Sequence, residues 1–252
     1  MNLGKTAWLK GLAIVIVIIQ VFIFTAPATL VSDQIQAQSN VQFSGISGKL
    51  MNGTIAQVHS NGLTYQNLSW DLNVLPSLSG VLDVDLSLDD PMASLTVTTS
   101  IRNDRHWQFQ NLSGQMEIEP VAKVLVVLSS FGIGGELEFD SVSAGMENQQ
   151  VTAGSGNLSW NNGLIRVNNQ DFELGQINAE LSHTSEAFIL DFTGTSPLAP
   201  NGTLTFNPVG TYELQLSIEP SGLPSNASWI ANMGKREASG QVSFNMKGNL
   251  GR

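Results

Sequence analysis

The chain contains no cysteine, which removes disulfides, thiolate metal sites and cysteine nucleophiles together. Charge is also scarce: 13% of the 252 residues are Asp, Glu, Lys or Arg. Soluble helical proteins usually carry many Lys and Glu on their exposed faces, so this shortage points away from an all-helical fold. Basic residues are the rarest of the charged ones, 11 against 21 acidic, for a formal net charge of −10. With no run of Lys and Arg, the chain lacks the footprint needed to grip nucleic-acid phosphates. The same deficit excludes electrostatic attachment to anionic lipid.

Catalytic patterns are missing too. The three histidines, His59, His106 and His183, stand alone, without metal-ligand spacing. No G-x-S-x-G nucleophile elbow occurs. GISGKL at 45–50 lacks the Lys-Ser/Thr ending of a phosphate loop, so its glycines read as turn residues. The densest acidic cluster, Asp83, Asp85, Asp89 and Asp90, could offer oxygen ligands to Ca²⁺, but it reads better as a solvated strand face. Six Asn-x-Ser/Thr sequons, at Asn52, Asn67, Asn111, Asn157, Asn201 and Asn226, read as features of Asn- and Ser-rich strands. No cofactor and no metal are implied, and the expectation is a non-enzyme.

One long apolar run is present. GLAIVIVIIQVFIF at 11–24 is interrupted only by Gln20, and TAPATLV extends it to Val31. Leu12, Ile14, Ile16, Ile18, Val21, Phe22 and Phe24 carry its hydrophobicity. Lys5 and Lys10 precede it and Asp33 follows, a bias that places the N-terminus in the cytoplasm and the body across the membrane. The expectation is a single transmembrane helix at 11–31 behind a cytoplasmic stub at 1–10. Ala26-Pro27-Ala28 also has the A-x-A form of a signal-peptide cleavage site, and either reading exports the body.

From Val41 onward apolar residues recur with a period of two. LDVDLSL at 82–88 puts Leu82, Val84, Leu86 and Leu88 on one face, and SLTVTTSI, FELGQINAEL, AFILDFTG, GTLTF and YELQLSI read alike. Asn-Gly pairs at 52, 61, 162 and 201 read as hairpin turns. Two proline-headed segments, after Pro120 and after Pro224, read as short helices, and the first, rich in Val, reads equally as a buried strand. The fold class predicted is therefore mainly β: an N-terminal transmembrane helix, then a long antiparallel meander.

Three phrases return in the same order: NLSW at 67 and 157, Ile-Glu-Pro at 118 and 218, and Gly-x-apolar-x-Phe at 135 and 240. They predict two similar halves, 32–140 and 141–252, each with a short helix. Trp70 and Trp160, Pro120 and Pro220, and Gly135 and Gly240 would be equivalent structural positions. Trp107 and Phe109 in HWQF share a strand face by alternation and form a possible partner surface, although core packing explains them more simply.

SGKLMNGTIAQV, LSWDLNVLPSLSGVLDVDL, GIGGELEF and GSGNLSWNNGLI together resemble protein N of the bacterial type II secretion system. Lys49 and Met51 depart from the family's pattern, which has Thr and Trp there. The resemblance implies a single-pass inner-membrane protein with a periplasmic β-rich domain. It also implies contact with other secretion subunits, and no enzymatic activity. The general layout is similar as well to AsmA-like envelope proteins, which implies the alternative of a lipid-handling apolar β trough.

Overall fold

The computed structural model describes residues 26–29, 41–60, 62–73, 80–103, 106–124, 132–148, 150–167, 170–223, 229 and 231–249. Most of them belong to strands: β1 (Val41–Gly48), β2 (Asn52–Ser60), β3 (Leu63–Asn73), β4 (Leu82–Asp90), β5 (Ala93–Asn103), β6 (His106–Glu117) and β7 (Gly132–Glu147). Then come β8 (Gln150–Val167), β9 (Gln170–His183), β10 (Phe188–Gly194), β11 (Asn201–Phe206), β12 (Thr211–Ile218), β13 (Lys235–Arg236) and β14 (Val242–Asn249). A short helix α1 (Ile118–Val124) links β6 to β7, and a 3₁₀ turn, Pro220–Gly222, follows β12.

The strands form one sheet in chain order, except that β14 lies beside β12 and β13 is outermost. Every ladder is antiparallel. A meander of this kind needs only short connections, because each strand pairs with the next one made. Among the described residues no ladder joins β1 to β13 or β14, so the sheet has two edges.

The alternation that predicts strands also fixes their faces, with systematic shifts. Phe43 and Ile46 share the apolar side although three residues apart, because Gly45 adopts φ +67° between them. Asn67 (φ +54°) does the same between Tyr65 and Leu68, Asn111 (φ +54°) between Phe109 and Leu112, and Ser141 (φ +54°) between Phe139 and Val142. Left-handed backbone in a strand kinks it and moves the side-chain period by one. Asn is among the few non-glycine residues that accept it readily.

The Asn-Gly pairs are a correction. Only Gly62 (φ +81°) lies in a turn, between β2 and β3. Asn52-Gly53 and Asn201-Gly202 open β2 and β11, and Asn162-Gly163 lies within β8, with Asn162 at φ +51°. At Asn162 the physical reason is the same left-handed kink of a long strand, which uses a residue that hairpins also use; Asn52, Gly53, Asn201 and Gly202 have no positive φ and simply extend the strands they open.

Most of the predicted membrane helix, including Leu12, Ile14, Ile16, Ile18, Val21, Phe22 and Phe24, lies outside the described residues. Among the described residues no helix is long and apolar enough to cross a membrane. Ala26–Thr29 are described, and they belong to the body. Pro27 makes an antiparallel bridge to Lys49. The Leu50 N–H donates to the Ala26 carbonyl (2.8 Å) and the Ala28 N–H to the Gly48 carbonyl (3.3 Å). Ala26 and Ala28 are buried.

Candidate functional site: the apolar face of the sheet

The registers place one residue of each consecutive strand directly opposite the next, and one such row runs almost edge to edge. It reads Ile46, Ile55, Leu68, Leu88, Leu95, Gly114, Phe139, Leu158, Ala179, Phe192, Gly202, Leu216 and Phe244. Ten of these are large and apolar. At a spacing of about 4.8 Å per strand the row is about 55–60 Å long. Apart from Ile55 its members are only half-buried, so they are covered by neighbours in the same sheet more than by a second layer. Among the described residues Val242 alone is a large side chain fully shut from solvent.

Packing is deepest under β6 to β11. Val142, Ala144, Val151, Leu181 and Phe188 form the buried cluster there. Phe109, Phe139, Leu158 and Phe206 pack against it, and the rings of Phe188 and Phe206 stack with centroids 5.0 Å apart.

The two tryptophans of NLSW occupy matching environments. Trp70 on β3 donates its indole N–H to the Leu50 carbonyl (3.1 Å), and Trp160 on β8 donates to the Gly134 carbonyl on β7 (3.0 Å). Each indole also crowds a glycine: a Cβ on Gly53 would lie 2.5 Å from the Trp70 ring, and one on Gly135 would lie 2.7 Å from Trp160 Nε1. The other proposed equivalences diverge. Gly135 (φ +109°) lies within β7, whereas Gly240 (φ +93°) sits in an open turn where a Cβ would meet nothing within 4 Å. Pro120 lies in α1 and Pro220 opens the 3₁₀ turn. Three strand steps separate the NLSW strand from Ile-Glu-Pro in the first instance, β3 to β6, and four in the second, β8 to β12. The chain direction at Ile-Glu-Pro, relative to the tryptophan strand, is therefore reversed between the two. Residues 140 and 141, where the halves were drawn, lie inside β7.

The acidic cluster divides between the two faces, Asp83, Asp85 and Asp89 on the polar side and Asp90 on the side of Leu88, and its members do not converge. Asp90 is buried and closes the β4–β5 turn, accepting from the Gln66 N–H and the Met92 N–H, both at 2.8 Å. Asp85 accepts from the Thr98 hydroxyl (2.6 Å) and the Asn73 amide (3.0 Å). Among the described residues no three His, Asp or Glu side chains are grouped to hold a metal ion. His59 bonds Thr64 (2.7 Å), His183 lies 3.0 Å from the Gly154 carbonyl, and His106 is 3.8 Å from Glu147. These are separate local contacts.

Trp107 and Phe109 stack on one face of β6, with centroids 6.1 Å apart and planes 13° apart. Trp107 belongs to a second row that sequence reasoning did not assemble. Leu82 faces Ile101, Ile101 faces Trp107, and Trp107 faces Met146. Leu82, Ile101 and Trp107 are 43%, 42% and 36% exposed. The signal was present in the alternation of each strand, but only the register between strands aligns it.

Among the described residues the coordinates thus define an antiparallel β meander of one layer with an apolar face. A family model for type II secretion system (T2SS) protein N matches residues 39–245, a span running from the approach to β1 into β14. The chain belongs to the type II secretion system protein N family and is a component of that secretion system. No curated protein and no solved structure matches it.

Proposed function

We propose that the chain is a non-enzymatic, accessory inner-membrane subunit of the type II secretion apparatus. Its N-terminus is cytoplasmic, and its β sheet stands in the periplasm against other subunits. The observation that carries this reading is the family match, which takes in nearly the whole sheet. Partner subunits have the outer side of β14 beyond Ser243 available, which takes no ladder partner among the described residues, and strand addition is the contact such an edge favours.

The test is purification of the full chain from bacterial membranes in mild detergent, followed by mass spectrometry of whatever co-elutes. Stoichiometric inner-membrane secretion subunits are expected; a chain that elutes without protein partners contradicts the reading. One observation favours a second reading. An apolar row crossing thirteen strands, with little of its own chain over it, would suit acyl chains laid along the sheet. Phospholipid retained by the purified protein through gel filtration is the outcome that would favour it.

A further inference from the structure

The bridge at Pro27 fixes a direction. It is antiparallel to the β1 end of the chain, with Ala26 at the level of Leu50 and Ala28 at the level of Gly48. Since β1 runs towards Leu50, the residues before Ala26 leave the sheet at the end that holds the β1–β2 turn. The registers show what else stands there. Asn52 faces Asp71, Asn73 two residues further on faces Asp83, and Leu82 lies one residue beyond that. The Leu82–Ile101–Trp107 row therefore stands about two residues, or about 7 Å, past Met51 of the β1–β2 turn, at the same end of the sheet by which the chain leaves Ala26.

We propose that this corner of the sheet, Leu82, Ile101 and Trp107, sits in the interfacial layer of the same membrane that takes the N-terminal run. The inference rests on the anchoring proposed above. Three observations carry it: the end of the sheet at which the bridge points the chain, the hydrogen bond that holds Ala26 on Leu50, and the exposed apolar row. Trp is the residue best suited to a layer that is apolar on one side and wet on the other. Arg102, exposed beside Ile101, and Lys49, exposed in the β1–β2 turn, can reach phosphate groups. With a net charge of −10, however, the contact is one of apolar burial rather than of electrostatic attraction, so neutral phosphatidylcholine is the appropriate bilayer. The opposite end of the sheet also exposes apolar groups, Trp229 (43%) and Met233 (71%). It lies away from the exit of the N-terminal run and serves as the reference.

The chain has no cysteine, so single labels are clean. Full-length Ile101→Cys, Leu82→Cys and Met233→Cys variants, carrying a nitroxide and reconstituted in phosphatidylcholine vesicles, would be compared for collision with oxygen and with a water-soluble nickel chelate. Positions 82 and 101 are expected to favour oxygen over nickel several-fold more than position 233 does. Equal, water-like ratios at all three positions, or a lipid-like ratio at 233 alone, would overturn the proposal. Burial in protein would lower collision with both reagents, and that outcome at 82 and 101 also counts against it. A chain that fails to float with the vesicles shows instead that the anchoring itself has failed.

Discussion

An indole set over a glycine is a tight arrangement, and it recurs here at Trp70 over Gly53 and Trp160 over Gly135. The glycine lets the ring lie close to the strand, and the ring's N–H then reaches a backbone carbonyl. Gly53→Ala puts a methyl 2.5 Å from both the Trp70 ring and the Ser47 carbonyl; overpacking of this sort costs about 1–3 kcal/mol. Gly62→Ala meets no atom within 4 Å and costs about 1 kcal/mol, from its positive φ alone. Urea midpoints of the two variants should differ in that order. Tyr65 offers a pH test. Burial first, and the Asp90 charge second, raise its phenol above the ordinary value of 10.0. The folded state holds that proton longer than the unfolded chain, so the stabilisation is complete below pH 10.0 and is lost as pH rises through the folded value. Unfolding measured at about pH 9 and about pH 11 should show a loss that shrinks in Tyr65→Phe; an unchanged loss would place its origin elsewhere.

Among elements, the strands were the most legible feature. LDVDLSL, SLTVTTSI, FELGQINAEL and YELQLSI alternate cleanly, and each falls within a strand, β4, β5, β9 and β12. At Pro120 the sequence leaves a short helix and a buried strand equally open; the chain forms a helix there, and it starts two residues earlier, at Ile118. What alternation could not reveal is where the period slips. Gly45, Asn67, Asn111 and Ser141 each take left-handed backbone, and nothing in the local sequence separates such an Asn from one in a turn. That is why Asn162-Gly163 read as a hairpin and proved to lie inside β8. The candidate site was hidden for a related reason: Leu82, Ile101 and Trp107 lie on three strands, and only the register makes them a row. The recurring NLSW suggests a duplicated unit; its tryptophans share an environment, while the strand counts that follow them differ by one. Packing is also unequal along the face. Phe188 is 4% exposed, at the heart of the buried cluster, and Phe188→Ala should cost about 3–5 kcal/mol. Leu216, half-buried near the β14 edge, should cost less on truncation to Ala. Equal costs would mean that the row is covered uniformly.

At the scale of the whole molecule, a sheet whose apolar face is only half covered among the described residues has surface left over for partners. Membership of the type II secretion system protein N family says which machine those partners belong to. The bridge between Pro27 and Lys49 fastens Ala26–Ala28, which lie within the run that sequence alone assigned to the membrane, to the β1–β2 turn. The most direct test is the intact mass of the chain purified from bacterial membranes. The account predicts the full 27.0 kDa of the 252-residue chain, allowing for the initiator methionine. A mass short of everything through Ala28 would contradict it, since the bridge and the anchor would both be gone.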